Sequence, residues 1–327
     1  SETGSDSMRY ALLFPGQGAQ EVGMGKDLFQ RHSAARRVFE VADQALGYSL
    51  TRIIFEGPEE ELTRTENAQP AILTVSIAVK AVLEHELGAP LTPALVAGHS
   101  LGEYTALVAA GALSLEDGVR LVHLRGKWMQ EAVPVGQGSM AAILGLDDAL
   151  VKQACEEAAR GQVCSPANFN APGQIVISGH AEAVARAVEI ARRLGAKRAI
   201  PLKVSAPFHC SLMEPVAELL QKAFSRCAWK EPSCPLVNNV SATLLTKPDE
   251  IREALRKQTY SPVLWLESVQ AMEREGISHY LEIGPGSVLS GLVRKGAKTA
   301  VILDTSTTEG LSRMIALLRG EEGGSVE

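Results

Sequence analysis

The pentapeptide Gly98-His99-Ser100-Leu101-Gly102 constrains this chain more than any other stretch. It reads G-x-S-x-G, with apolar Ala94-Leu95-Val96-Ala97 before it and helix-forming Glu103-Tyr104-Thr105-Ala106-Leu107 after it. The bare pattern arises by chance in roughly one chain in ten of this length, so its context decides its value. A serine hydroxyl is a poor nucleophile and must be held out on a sharp turn, where a base and oxyanion donors can reach it. A strand–turn–helix elbow does this, and its glycines relieve the crowding. Ser100 is therefore the candidate nucleophile.

The rest of the chain alternates in the same way. Tyr10-Ala11-Leu12-Leu13-Phe14 is a short apolar run ending at Pro15-Gly16, as a buried parallel strand would. Helical patterns follow over 34–46 and 72–87, then the strand and helix around Ser100. Strands alternating with helices imply a parallel sheet covered on both faces. Beyond Pro134-Val135-Gly136-Gln137-Gly138 the rhythm changes to strand 140–146, helix to 159 with Asp147-Asp148 at its start, strand 162–169, strand 174–178, helix 181–194 and strand 198–204. That order, βαββαβ, is that of a ferredoxin-like unit. Further strands are expected at 236–240, 279–283 and 300–303, with helices at 211–224, 249–257, 264–275 and 308–318. The fold class is α/β: a hydrolase-like core with a parallel sheet flanked by helices, plus an inserted ferredoxin-like subdomain. Residues 8–135 and 206–318 would form the core and 136–205 the insert. Residues 1–7 read as a small polar remnant without a secretory signal, and 319–327 as a flexible tail.

With 46% hydrophobic residues among 327, the chain can bury a sizeable core, and a net charge of −6 argues against nucleic acid as the main partner. Cys155, Cys164, Cys210, Cys227 and Cys234 lack C-x-x-C spacing, so free thiols in a reducing compartment are expected rather than disulfides or zinc. No stretch is long and apolar enough to span a membrane, and a cytoplasmic location is expected. Neither a third glycine at Glu21 nor a phosphate-binding G-x-x-x-x-G-K-[ST] is present, so no nucleotide cradle, metal or other cofactor is expected.

A catalytic serine needs a base, and imidazole titrates in the useful range. Of the seven histidines, His32, His85, His123 and His180 sit in helical or helix-start patterns beside charged residues, where solvated side chains are the default. His209, in the irregular junction Ser205-Ala206-Pro207-Phe208-His209-Cys210, is the leading candidate, and His99 and His279 stay open. The only aspartates between Ser100 and His209 are Asp117, Asp147 and Asp148, each resembling a helix cap. That counts against the usual acid-bearing triad, and a carbonyl could orient the imidazole instead. Gly16-Gln17-Gly18, directly after the first strand, would let backbone approach the reacting centre closely. Arg125 shares a helical face with Leu121, Val122 and Met129, leaving two readings: a guanidinium snorkelling at the surface, or one awaiting an anionic partner.

Taken together, these motifs resemble one family, the malonyl-CoA:acyl carrier protein transacylases, with the related acyltransferase domains of polyketide synthases. The matching stretches are Phe14-Pro15-Gly16-Gln17-Gly18-Ala19-Gln20, Gly98 to Tyr104, Arg125-Gly126-Lys127-Trp128-Met129-Gln130, Asn168 to Gln174, Pro207-Phe208-His209 and Glu282-Ile283-Gly284-Pro285-Gly286. The resemblance implies that Ser100 is acylated, that His209 is its base, and that the Gln258 backbone carbonyl holds the imidazole. It also implies an oxyanion hole from the N–H groups of Gln17 and Leu101, and Arg125 clamping a malonyl carboxylate. Leu101 and Phe208 are the bulky types of malonyl-selective relatives, and Met129 would pack beside the acyl pocket.

The implied reaction is ping-pong transfer of malonyl from malonyl-CoA to the phosphopantetheine thiol of acyl carrier protein, for fatty acid synthesis, by a monomer without a cofactor of its own. An acidic carrier would meet a basic patch, for which Arg192, Arg193, Lys197 and Arg198 are candidates, a solvated helix end being the alternative. Competing readings are a trans-acting acyltransferase for a polyketide synthase, a serine hydrolase or editing thioesterase, and an idle scaffold.

Overall fold

The computed structural model describes residues 8–297 and 300–321. The remnant expected at 1–7 and the tail beyond 321 lie outside the described residues. The strands are β1 (Tyr10–Phe14), β2 (Leu95–Gly98), β3 (Gly138–Leu144), β4 (Cys164–Ala171), β5 (Gln174–His180), β6 (Arg198–Pro201), β7 (Leu236–Val237), β8 (Leu244–Leu245), β9 (Val263–Leu264), β10 (His279–Glu282) and β11 (Val301–Asp304).

They form two sheets. The first has the order β11-β10-β1-β2-β7-β8 and is parallel except for β8, which turns back on β7. Every residue of β1 is buried, as suits a central strand covered on both faces. Its register aligns Phe14 with Gly98 and Leu13 with Glu282, so the loops after β1, β2 and β10 leave the sheet at one edge. The carboxyl edge of a parallel sheet is where such folds place their ligands, and Ser100 stands there.

The second sheet has the order β6-β3-β5-β4-β9. Its first four strands are mutually antiparallel in the 4-1-3-2 arrangement of a ferredoxin-like unit, with helices Asp148–Ala159 and Ala181–Arg193 packed on it. The fifth strand is a surprise. β9 comes from the main body and pairs in parallel with β4, Asn168 opposite Val263, so the two sheets are stitched together beside the elbow.

Several boundaries moved for physical reasons. The helix expected from 72 begins at Thr65 and carries Pro70 inside it. Proline cannot donate to the carbonyl four residues back, that of Glu66, and His123 Nδ1 donates to this oxygen instead at 2.9 Å. His123 is thus a helix-repairing group rather than a solvated one. The strand expected over 198–204 ends at Pro201, with one further hydrogen bond to β3 from the Leu202 N–H to the Met140 carbonyl at 2.9 Å. The strand expected over 236–240 stops at Val237, because the Asn238 side-chain oxygen accepts from the N–H groups of Val240 and Ser241 and turns the chain. Asp147 occupies an N-cap position without a side-chain bond, and Asp117 lies in a first turn capped by Ser114.

Candidate active site

The elbow is built by glycines. A Cβ on Gly98 would lie 2.0 Å from the Gly102 carbonyl, and one on Gly102 would lie 2.1 Å from the carbonyl oxygen of Phe14. Close approach of strand, turn and helix therefore requires bare backbone at both positions. Gly16 is pressed against the turn likewise, 2.5 Å separating its would-be Cβ from the His99 carbonyl oxygen, which brings Gln17 beside Ser100. Ser100 itself has φ 57°, a left-handed conformation unusual for a residue with a side chain. Asn239 holds it there: its Oδ1 accepts from the Ser100 N–H at 2.8 Å, and its Nδ2 donates to the Gly98 carbonyl at 2.7 Å. Beneath lies Glu103, accepting from the Asn239 N–H at 3.0 Å and from Gln258 Nε2 at 2.8 Å. Burial pushes the Glu103 carboxyl up to about 8, against those hydrogen bonds and the Arg125 charge.

Ser100 Oγ lies 2.6 Å from His209 Nε2. On the other side of the ring, Nδ1 donates to the main-chain carbonyl of Gln258 at 2.8 Å. With the proton on Nδ1, Nε2 is the acceptor for the serine hydroxyl, which is the tautomer a general base needs. His209 also has a left-handed backbone, φ 58°, and is almost fully buried. Burial first and the Arg125 charge second push its imidazole down to about 3, so it rests neutral.

Arg125 does not snorkel, being only 2% exposed. Gly126 explains how it gets there: a Cβ at that position would sit 2.4 Å from the Thr65 carbonyl oxygen, so helix Leu115–Ala132 can press against helix Thr65–Leu87. Arg125 Nη1 donates to Gln69 Oε1 at 2.8 Å, and Nη2 to Gln258 Oε1 at 2.9 Å and to Ser100 Oγ at 3.3 Å. A cavity of about 110 Å3 opens here, lined by Gln17, Ser100, Leu101, Arg125, Phe208 and His209 with His99, residues of the small sheet and the segment that follows β6.

The structure thus gathers Ser100, His209, Gln258, Arg125, Gln17, Leu101 and Phe208. Met129 is buried but stands behind Gln69, its Sδ 3.9 Å from Gln69 Nε2, and does not line the cavity. His99 Nε2 is 2.8 Å from Asn170 Oδ1, tying the elbow to β4. His279 opens β10, opposite Tyr10 at the far edge of the sheet from Ser100. Arg192, Arg193, Lys197 and Arg198 are all exposed near β6, the outer edge of the small sheet, and Arg192 is partly occupied by Glu189 and the Ala199 carbonyl. Sequence reasoning passed over Gln69, Glu103 and Asn239. The available signal was polarity out of place: a glutamine in the otherwise apolar run to Ile72, a glutamate inside the elbow, and an Asn-Asn pair ending a buried strand.

A parallel-sheet body bearing a serine elbow, with a ferredoxin-like unit over its carboxyl edge, defines an acyltransferase. The profile of the Acyl transferase domain family matches residues 11–318. The chain belongs to the malonyl CoA-acyl carrier protein transacylase family within it. It is 49% identical over 309 residues to the transacylase of that name from Escherichia coli strain K12, covering 94% of this chain and 97% of that protein. An acyl-carrier-protein-S-malonyltransferase from Bartonella henselae superimposes with a TM-score of 0.92 at 47% identity, over 96% of this chain and all 100% of that one. A malonyl-transacylase solved in complex with a type II polyketide synthase acyl-carrier protein gives a TM-score of 0.91 at 44% identity, over 94% and 99% of the two chains. Among the described residues, no helix is long and apolar enough to cross a membrane.

Proposed function

We propose that the protein moves a malonyl group from malonyl-CoA to the phosphopantetheine thiol of an acyl carrier protein, through an ester on Ser100, and so supplies fatty acid synthesis in the cytoplasm. The observation that carries this reading is Arg125, a buried guanidinium 3.3 Å from Ser100 Oγ with no carboxylate hydrogen-bonded to it among the described residues. A three-carbon acyl group on Ser100 would carry its free carboxylate to that charge. An acetyl group would leave the cation unpaired, a difference large enough for strong discrimination.

In the first half-reaction Ser100 Oγ attacks the thioester carbonyl while His209 Nε2 takes the hydroxyl proton. The N–H groups of Gln17 and Leu101 receive the developing oxyanion, worth about 3 kcal/mol per donor in such sites. Collapse expels the CoA sulfur, which takes the proton from His209. In the second half the carrier thiol gives its proton to His209 and attacks the Ser100 ester, and the serine leaves with that proton. The Gln258 carbonyl favours the imidazolium that forms in each half, the task an aspartate performs elsewhere.

Carrier protein as the acceptor is supported by the relative solved with one bound. Incubation with labelled malonyl-CoA tests the whole reading. Label should stay on the protein until carrier protein is added and then pass to it. Rapid release of free malonate without carrier would mark a hydrolase instead.

A further inference from the structure

Among the described residues, every group hydrogen-bonded to Arg125 is neutral. Gln69 Oε1, Gln258 Oε1 and Ser100 Oγ accept from it, the Tyr104 ring lies 5.5 Å from its guanidinium carbon, and Nε has no hydrogen-bond partner among the described residues. The nearby carboxyl is Glu103, and the Gln258 side chain stands between the two. Its Nε2 donates to Glu103 while its Oε1 accepts from Arg125. A cation buried this way is costly, and a carboxylate beside it would lower that cost. Position 69 is the place where one would fit most simply. Gln69 is 1% exposed, already points its side-chain oxygen at Nη1 from 2.8 Å, and differs from glutamate by one atom.

We propose that Gln69 determines acyl specificity by its neutrality: its amide oxygen accepts from Arg125 without neutralising the guanidinium, so that the charge is left for the carboxylate of the incoming acyl group. This rests on the reading of Arg125 given above. The residue is positioned for the task by Pro70 and His123, which shape the first turns of its helix, and by Gly126, which lets the Arg125 helix approach.

The two possible roles of Gln69 separate on an isosteric change. If the side chain only holds Arg125 in place, Gln69→Glu keeps an acceptor there and preserves the preference for malonyl over acetyl. If its neutrality matters, the new carboxylate pairs with Arg125 internally and competes with substrate. We expect Gln69→Glu to lower kcat/KM for malonyl-CoA about 100-fold while acetyl-CoA changes by less than about threefold. Gln69→Met, which removes the acceptor and adds no charge, should keep the malonyl preference within about threefold even where its absolute rates fall. A wild-type preference in Gln69→Glu, or a preference lost in Gln69→Met as fully as in Arg125→Ala, overturns the proposal. Thermal unfolding of each variant shows whether it is folded, and if Gln69→Glu is not, the Gln69→Met result decides alone. Arg125→Ala measured alongside keeps the two levels apart. An unchanged preference there defeats the reading of Arg125 itself, whereas a preference lost there but kept in Gln69→Glu defeats only the role of Gln69.

Discussion

His209 Nδ1 donates to the main-chain carbonyl oxygen of Gln258 at 2.8 Å, in the place where a serine hydrolase would present an aspartate. A neutral carbonyl orients the ring as well as a carboxylate does but adds no negative charge, and the site's full charge, Arg125, lies on the other side of the same glutamine. The combination leaves the cavity positive where an acyl carboxylate would lie.

Ser100→Ala should abolish covalent labelling by malonyl-CoA, read by intact-protein mass, with the fold unchanged by circular dichroism. Labelling that persists at the wild-type level would place the nucleophile elsewhere.

Arg125→Ala should lower kcat/KM for malonyl-CoA by about 1000-fold while transfer of acetyl is kept or rises, since only the acid loses a charge-assisted pair. Equal loss of both acyl groups would make Arg125 structural.

The pH dependence follows from His209. Its imidazole, held down to about 3 by burial and then by Arg125, stays neutral and able to accept a proton across the range where an ordinary histidine titrates. Acetyl transfer measured as kcat/KM should therefore show no acid limb near pH 6.5, and the limb should appear at higher pH in Arg125→Met, where one depressing charge is gone. The linkage sign for folding is the matching one. Between about pH 3 and the ordinary histidine value the unfolded chain binds a proton that the folded chain refuses, so this residue's contribution to stability falls as the pH drops through that window. A limb at 6.5 in the unaltered protein would contradict this.

Asn239→Ala should cost about 1–3 kcal/mol in chemical unfolding and slow acylation, because the Ser100 N–H and the Gly98 carbonyl both lose their partner. Stability within 0.5 kcal/mol of wild type, the scatter of a surface change, would show that the elbow holds itself.

Arg193→Glu combined with Lys197→Glu should raise KM for the carrier protein about tenfold and leave KM for malonyl-CoA unchanged, if the exposed edge beside β6 receives an acidic carrier. Equal KM for the carrier in both proteins would move the docking surface elsewhere.

Much of this was legible in the residues. The elbow around Ser100, the buried strand Tyr10–Phe14 and the βαββαβ order announce themselves through local pattern, because glycine spacing, apolar runs and period all act within a few residues. Ser100, His209 and Arg125 were likewise visible as residue types out of keeping with their surroundings. What the sequence could not say is which groups meet. Gln69, Glu103, Asn239 and Gln258 come from four distant segments, and β9, nearly a hundred residues after β4 in the chain, joins the small sheet beside it. Whether Arg125 snorkels or is buried depends on Gly126 meeting Thr65, some sixty residues earlier, and no local period carries that information. Local chemistry singled out Ser100 as the candidate nucleophile and set the classes of strand and helix. Long-range packing decided the tautomer of His209 and left the guanidinium without a carboxylate partner among the described residues, since hydrogen bonds and charges depend on distances that only the folded chain sets.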